Sequence, residues 1–194
     1  GTKGPARPTD DWRSVVNEGD SQRLLGLDEA WVSALSAARR NNAADVDRLG
    51  ILLQPSGPPD SGAPGPALQN PQPTPGDYRC RTIKLGGDKG LPFVAYGWFR
   101  CRIELTPGGD LVFTKLTGSQ RQQGRLYPWY DRALAFVGAE AWGNETTYPA
   151  YGQNPERDEV GALERIGPDR WRLLLAWPKQ ESVLDVIELV RVAG

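Results

Sequence analysis

The chain has 194 residues, enough for one substantial core or two small domains. Its 23 basic and 24 acidic residues almost cancel, which argues against nucleic acid as a partner, because nucleic-acid-binding proteins collect a basic excess on one face. The mean hydropathy of −0.51 and the short apolar runs predict no transmembrane segment. Histidine is absent, so the usual base of serine and cysteine hydrolases and the commonest metal ligand are missing, and we expect no cofactor and no metal site.

The first stretch of the chain, residues 1–8 with the sequence GTKGPARP, is polar and rich in glycine and proline. This composition predicts a disordered lead-in. In a chain without methionine, it is typical of the segment behind a removed signal peptide, a lipoprotein anchor or a cleaved tag. We therefore expect an exported protein, either periplasmic or secreted, with lipid attachment of the precursor left open.

Residues 9–54 predict a helical N-terminal region. Thr9 is a candidate N-cap ahead of an acidic first turn. An apolar stripe with helical spacing follows, formed by Leu27, Trp31, Leu35 and Ala38. Asn41 and Asn42 predict the end of that helix, and a third helical segment ends before Pro55. Because each segment has one apolar face, we expect the helices to pack on another layer.

Two further zones follow in the chain. Residues 55–76 hold eight prolines, which predict a linker or an ordered strap. Residues 77–194 alternate with period two, as in FRCRIEL and RWRLLLAW, and turn signals divide them into about eight short strands. An open sheet of this kind would expose long edges, so the strands favour a closed antiparallel meander. The sequence therefore predicts an α+β fold in which N-terminal helices pack on a β-barrel-like domain, comparable by analogy with lipocalins and streptavidin.

The only two cysteines, Cys80 and Cys101, lie in identical Arg-Cys-Arg triplets on the first two predicted strands. Cys101 shares its face with Phe99 and Ile103, so we predict two inward thiols joined in a disulfide, with two free buried thiols as the alternative. Closing this loop stabilises the fold by roughly 3 kcal/mol in the chain-entropy model. The apolar residues after Cys80 change phase, which predicts a β-bulge near Thr82.

The arginines beside the two cysteines are predicted to share the outer face of the sheet: Arg79, Arg81, Arg100 and Arg102. They form either an anion-binding stripe or a set of solvated side chains partnered by nearby acids.

Two polar stretches are candidates for binding a small or anionic ligand at the barrel mouth. One begins at Lys115 and the other is the segment YGQNPERD. The predicted ligand-binding residues are Lys115, Thr117, Ser119, Gln120, Arg121, Tyr127, Tyr151, Arg157 and Asp158. An ordinary polar hairpin and a surface pair of Arg157 with Asp158 are the alternatives. No catalytic residue is predicted, although a carboxylate pair of Asp158 with Glu181 or Asp185 stays open.

The chain also resembles a known family. The strings DYRCRTIKLG, FRCRIEL, LTGSQR, RWRLLL and LDVIELV, together with DWRSVV near the N-terminus, resemble the exported bacterial proteins grouped as domain of unknown function 4893. The resemblance implies export behind a signal peptide. It implies no activity and no catalytic residue.

Three functions follow as hypotheses. The first is a non-catalytic binding module, periplasmic or secreted and monomeric, with an aromatic- and arginine-lined barrel mouth for a small ligand. The second is an interaction or inhibitor module of the cell envelope, recognised through the helical region or the proline-rich strap. The third is a hydrolase that uses carboxylates without histidine.

Overall fold

The computed structural model describes residues 11–57, 65–87 and 91–193. The described N-terminal part forms helices α1 (Trp12–Val15), α2 (Glu18–Leu25) and α3 (Leu27–Arg48), followed by a 3₁₀ turn at Gly50–Leu53. Asp11 caps α1 by accepting the amide of Arg13, and Asn17 caps α2 by accepting the amide of Asp20. The predicted cap Thr9 lies outside the described residues. None of the helices in the described ranges combines the length and apolar content needed to span a membrane.

Helix α3 runs through the point where the sequence predicts a stop. Asn42 alone leaves helical geometry, with φ −132° and ψ 31°, so the predicted end is a kink. The helix resumes because alanines follow and Val46 returns to the buried face. Within the predicted stripe Trp31 and Ala38 are buried, while Leu27 and Leu35 are half-buried.

Nine strands follow in the described part of the chain: β1 (Gly76–Leu85), β2 (Phe93–Ala95), β3 (Phe99–Leu105), β4 (Leu111–Lys115), β5 (Gln120–Tyr130), β6 (Ala133–Trp142), β7 (Asp158–Gly167), β8 (Arg170–Ala176) and β9 (Leu184–Arg191). Every pairing is antiparallel, and β1 pairs with β9 to close eight of the strands into a barrel. The short β2 is the extra strand, paired to the second half of β1. The predicted α+β barrel of about eight strands is confirmed.

The disulfide is also confirmed. Cys80 and Cys101 are bonded, with their Cα atoms 6.0 Å apart, and both are buried. They belong to the apolar half of the barrel interior, with aromatic members such as Tyr78, Phe113 and Trp171. The disulfide therefore joins neighbouring strands inside the core.

The predicted bulge near Thr82 is wrong along the β1–β9 pairing. The register is continuous from Tyr78, opposite Arg191, to Leu85, opposite Leu184. Ile83 and Leu85 point outward and are buried beneath α3 in the cluster that contains Trp31. The change of phase in the sequence arises because helices cover the outer face of this half of β1, so both faces are apolar.

The described end of the proline-rich segment, residues 65–75, is bonded to the barrel. The amide of Leu68 donates to the Arg165 carbonyl at 2.8 Å. The Trp171 indole donates to the Pro71 carbonyl at 2.9 Å. The Tyr78 hydroxyl donates to a strap carbonyl, that of Thr74, at 2.6 Å. These bonds hold the segment as a strap across the disulfide half of the barrel.

Candidate ligand-binding site

The second half of the barrel interior is polar. On β1, Thr82 and Lys84 point inward like Tyr78 and Cys80, and on β9, Asp185 points inward like Ile187. On both strands the inward side chains therefore change from apolar to polar toward one end of the barrel, and the strands between them show the same change. The buried polar residues at inward positions are Thr82, Lys84, Lys115, Gln122, Glu140, Glu159 and Asp185.

A cavity of about 250 Å³ opens at this polar end. We call it the mouth cavity. Its lining includes two lysines, Lys84 and Lys115, and two aromatic residues, Tyr96 and Phe99. The polar lining residues without a positive charge are Thr82, Ser119, Gln120, Gln122, Glu181 and Asp185. Ammonium groups, carboxyl groups, amides and two aromatic rings therefore face one cavity, whose lining is more polar than that of most small-molecule sites.

Lys84 is held firmly by its neighbours. Its Nζ donates to Oε1 of Gln120 at 2.6 Å and lies 3.4 Å from Oε2 of Glu181. Burial lowers the pKa of Lys84, but Asp185, Tyr96 and Glu181 together raise it above the ordinary value. The ammonium is therefore a fixed positive charge whose field is already matched by carboxylates.

Lys115 is placed differently. Its Nζ donates to the carbonyl of Gln120 at 2.8 Å and lies 4.6 Å from the centre of the Phe99 ring. Burial lowers the pKa of Lys115 to about 8, against the opposing effect of Glu140. A substantial part of the Lys115 population therefore loses its charge just above neutral pH.

The interior carboxyl groups are also perturbed. Burial raises the pKa of Asp185 to about 6, although a hydrogen bond from Ser182 and the charge of Lys84 both lower it. Burial and a hydrogen bond with Glu140 raise the pKa of Glu159 well above its usual range. The pKa of Glu159 is therefore raised both by its burial and by the neighbouring Glu140 carboxyl group, because burial and a nearby negative charge each disfavour the ionised form.

Three buried polar atoms in this half of the barrel have no hydrogen-bond partner within the described ranges: Oγ1 of Thr82, Oε1 of Gln122 and Oε2 of Glu159. Thr82 and Gln122 also line the mouth cavity. A buried polar atom left unpaired costs about 1–3 kcal/mol, so such atoms usually mark a place where water or a ligand bonds. These two side chains are the best-placed contacts for a ligand.

Three of the nine predicted site residues, Lys115, Ser119 and Gln120, line the mouth cavity. Neighbouring Thr117 lies in the turn between β4 and β5, where its hydroxyl accepts the amide of Arg100 at 2.9 Å. Its hydrogen bond is structural and holds the turn against β3.

Arg121 and Arg157 both contact the loop that follows β6, outside the mouth cavity. Arg121 donates to the carbonyls of Gly118, Gly143 and Glu145 at 2.6–2.7 Å. The Arg157 guanidinium lies 2.7 Å from the Glu145 carboxylate and 3.5 Å from the centre of the Trp142 ring. Both arginines therefore fasten a loop.

Tyr127, Tyr151 and Asp158 lie on the outer face of the barrel, near α1 and α2. Tyr127 belongs to the apolar cluster that contains Trp12. The Tyr151 hydroxyl donates to the Asp20 carboxylate at 2.6 Å, and Asp158 accepts the amide of Gly152 at 3.0 Å. The Asp158 side chain is therefore outside the barrel. Asp185 and Glu181 line the mouth cavity, so Asp158 does not form a carboxylate pair with either of them.

The outward arginines have acidic and aromatic neighbours. Arg81 donates to Glu188 at 2.6 Å and Arg102 donates to Asp77 at 3.2 Å. The guanidinium groups of Arg79 and Arg81 lie 4.7 and 4.8 Å from the ring of Trp98. The pairs with Glu188 and Asp77 favour the simpler of the two interpretations, arginines partnered by acids.

Several of the polar residues inside the barrel could have been found in the sequence. Glu140 is in phase with Phe136, and Asp185 is in phase with Ile187. The sequence signal for such a residue is a charged side chain at an inward position of a strand, and it recurs on strands whose other inward residues are apolar. Stretches that are dense in polar residues instead indicate the turns.

Comparison with known proteins gives a family but no described activity. Within the described ranges, no group of three or more cysteine, aspartate or glutamate side chains is placed to hold a metal ion. No curated protein and no solved structure matches the chain. The family model described as "Domain of unknown function (DUF4893)" matches residues 12–189 of the 194, so the chain belongs to that family.

Proposed function

We propose that this protein is a binding module of an oxidising compartment, periplasmic or extracellular, and that it holds a small polar ligand in the mouth cavity. The observation that carries the proposal is the pair of buried, unpartnered polar atoms of Thr82 and Gln122, which among the described residues line one cavity together with two lysines. At about 250 Å³ the cavity is slightly smaller than the usual range for drug-sized ligands, so it suits a compact molecule.

The disulfide supports the proposed compartment. Cytosolic thiols are kept reduced, whereas a disulfide buried in a core persists in exported proteins. The bond between Cys80 and Cys101 therefore supports export. Use of a free strap to bind a partner is not favoured, because residues 65–75 are hydrogen-bonded to the barrel through Arg165, Trp171 and Tyr78.

The experiment exposes the oxidised protein to the low-molecular-weight fraction of a periplasmic extract and measures bound mass by native mass spectrometry. We expect one small molecule per chain. The variant Ser119→Trp places a large ring at the exposed rim of the cavity and should abolish the added mass. Thr147→Trp, which adds the same ring at an exposed position of the β6–β7 loop, should leave it unchanged. Absence of any added mass, or equal binding by both variants, contradicts the proposal.

A carboxylate hydrolase is the second candidate. The favouring observation is the raised pKa of the buried Glu159 carboxyl group beside Glu140, because a carboxyl group that keeps its proton can act as a general acid. The test is hydrolysis of a panel of glycosides and esters by the wild-type protein and by Glu159→Gln. Activity that the variant loses while it keeps its fold supports the candidate, and inactivity of the wild-type protein across the panel ends it.

A further inference from the structure

We propose that the ligand of the mouth cavity is an uncharged polyhydroxylated molecule of monosaccharide size, and not the anion that two lysines would ordinarily attract. This inference rests on the proposed binding function. It follows from the charge balance around the lysines, the hydrogen-bonding character of the unpartnered atoms and the ring surface in the lining.

The charges of the lysines are already matched. Lys84 lies 3.4 Å from the Glu181 carboxylate and is influenced by Asp185 as well. Lys115 is influenced by Glu140, which lies deeper in the barrel. An anion entering the cavity would therefore meet the carboxylates of Asp185 and Glu181 together with the two ammonium groups, and a cation would meet both ammonium groups. Neither sign of charge gains a net attraction, so a neutral ligand is favoured.

The unpartnered atoms of Thr82 and Gln122 favour a ligand group that both donates and accepts hydrogen bonds. Oε1 of Gln122 can only accept a hydrogen bond, while the Thr82 hydroxyl can donate and accept. A carboxylate or sulfate oxygen only accepts, so it cannot satisfy Oε1 of Gln122. A ligand hydroxyl can satisfy both residues, and its oxygen can also accept from Lys84 or Lys115. Vicinal hydroxyl groups on one ring would serve several of these contacts at once.

The rest of the lining fits a ring with apolar C–H edges. Tyr96 and Phe99 bring aromatic surface to a cavity whose other side chains are polar. An aromatic ring has a negative face, so it packs favourably against polarised C–H groups of a sugar ring. The volume of about 250 Å³ holds one such ring rather than an extended chain.

The experiment measures binding by isothermal titration calorimetry and saturation-transfer NMR. The probes are a panel of neutral aldohexoses and their N-acetylamino forms, each matched with its uronate and its amino sugar, with inorganic phosphate and citrate added as simple anions. We expect at least one neutral sugar to bind about 10-fold or more tightly than its uronate and its amino sugar. Its affinity should change little between low and high salt, because no charge pair forms.

Variants of the lining residues test where the sugar binds and which side chains bind it. Thr82→Val and Gln122→Leu should each weaken binding of the neutral sugar by roughly 10-fold, whereas Thr147→Val, at an exposed position outside the cavity, should leave it unchanged. Asp185→Asn removes one negative charge from the lining and should move the preference toward the matching uronate. A variant that only loosened the barrel would weaken both ligands alike.

Three outcomes overturn the inference. Tighter binding of a uronate, phosphate or citrate that Ser119→Trp abolishes refutes the neutral class but keeps the proposed binding function. Sugar binding that is equal in Thr82→Val and the wild-type protein places the sugar elsewhere. If no sugar of the panel binds but the periplasmic extract gives a bound mass, the saccharide class alone is refuted. If neither experiment detects binding, the binding function is refuted too.

Discussion

Replacement of Arg172 by methionine tests how the N-terminal layer is attached to the barrel. The Arg172 side chain is fully buried on β8 and lies 2.7 Å from the Glu164 carboxylate. It also donates to the carbonyls of Ile51, Leu52 and Gln54 at 2.8–3.1 Å. One guanidinium therefore joins the outside of the barrel to the 3₁₀ turn that follows α3. Methionine keeps much of the apolar stem and removes every donor.

The expected loss of stability can be worked from these contacts. Removing one partner of a buried ion pair costs about 3–5 kcal/mol, because the other charge stays buried without compensation. Glu164 would be that charge, with only 3% of its side chain exposed. We therefore expect Arg172→Met to lower the free energy of unfolding by about 4 kcal/mol, a large fraction of the ~5–15 kcal/mol typical of a domain.

The matched control is Arg170→Met, two residues earlier on the same strand. The Arg170 side chain is 32% exposed, and its partner Glu188 keeps a second bond to Arg81 at 2.6 Å. We expect a loss of only about 0–1 kcal/mol there. Urea denaturation followed by tryptophan fluorescence measures both variants, and the double variant Arg172→Met with Glu164→Gln should recover part of the loss. Equal stability of Arg172→Met and Arg170→Met would refute the reasoning.

Two further predictions concern the barrel interior. Cysteine-to-alanine replacement at both Cys80 and Cys101, which are 21 positions apart, should lower the free energy of unfolding by about 3 kcal/mol. Urea denaturation checks this, and thiols that titrate in the untreated wild-type protein would contradict it. Burial raises the pKa of Asp185 from 3.8 to about 6, so the folded protein binds this proton more tightly than the unfolded chain and loses stability as the pH rises from about 4 to about 6. Relative to the wild-type protein, Asp185→Asn should therefore gain about 2 kcal/mol between pH 4 and pH 7 in urea titrations, and parallel pH profiles would contradict this.

The architecture was predictable because two kinds of periodicity are strong in this chain. Alternation over segments such as FRCRIEL fixes which side chains share a face, and it placed Cys101 with Phe99 and Ile103 in the core. Strand number and the instability of open edges then favour closure. Neither argument needs long-range information.

The error on β1 shows where local pattern stops being sufficient. Ile83 and Leu85 break the alternation, and a bulge and a covered outer face produce the same sequence pattern. Only the continuous register against β9, together with the position of α3, separates the two. The kink at Asn42 has a similar cause, because burial of Val46 outweighs a weak local stop signal.

The site was harder to predict than the fold. The inward phase of Glu140 or Asp185 can be read from its own strand, but convergence requires the register that sets Lys84 opposite Asp185 and Gln122 opposite Glu140. That register results from closure of the whole barrel. Arg121, from the polar stretch at the start of β5, instead donates to carbonyl groups of two adjoining loops, those of Gly118 and Gly143.

The helical layer explains how the barrel can keep half of its interior polar. Burying two lysines and several carboxyl groups destabilises the fold, and an eight-stranded barrel without a covering layer relies on its interior for its core. Here the outer face carries two more apolar clusters, one around Trp31 beneath α3 and one around Trp12 and Leu24 beneath α1 and α2. Their burial offsets the polar interior. The mouth cavity therefore depends on the helices, although none of the helical residues in the described ranges lines it, and loosening the layer at Arg172 should lower stability and, on the proposed function, weaken ligand binding.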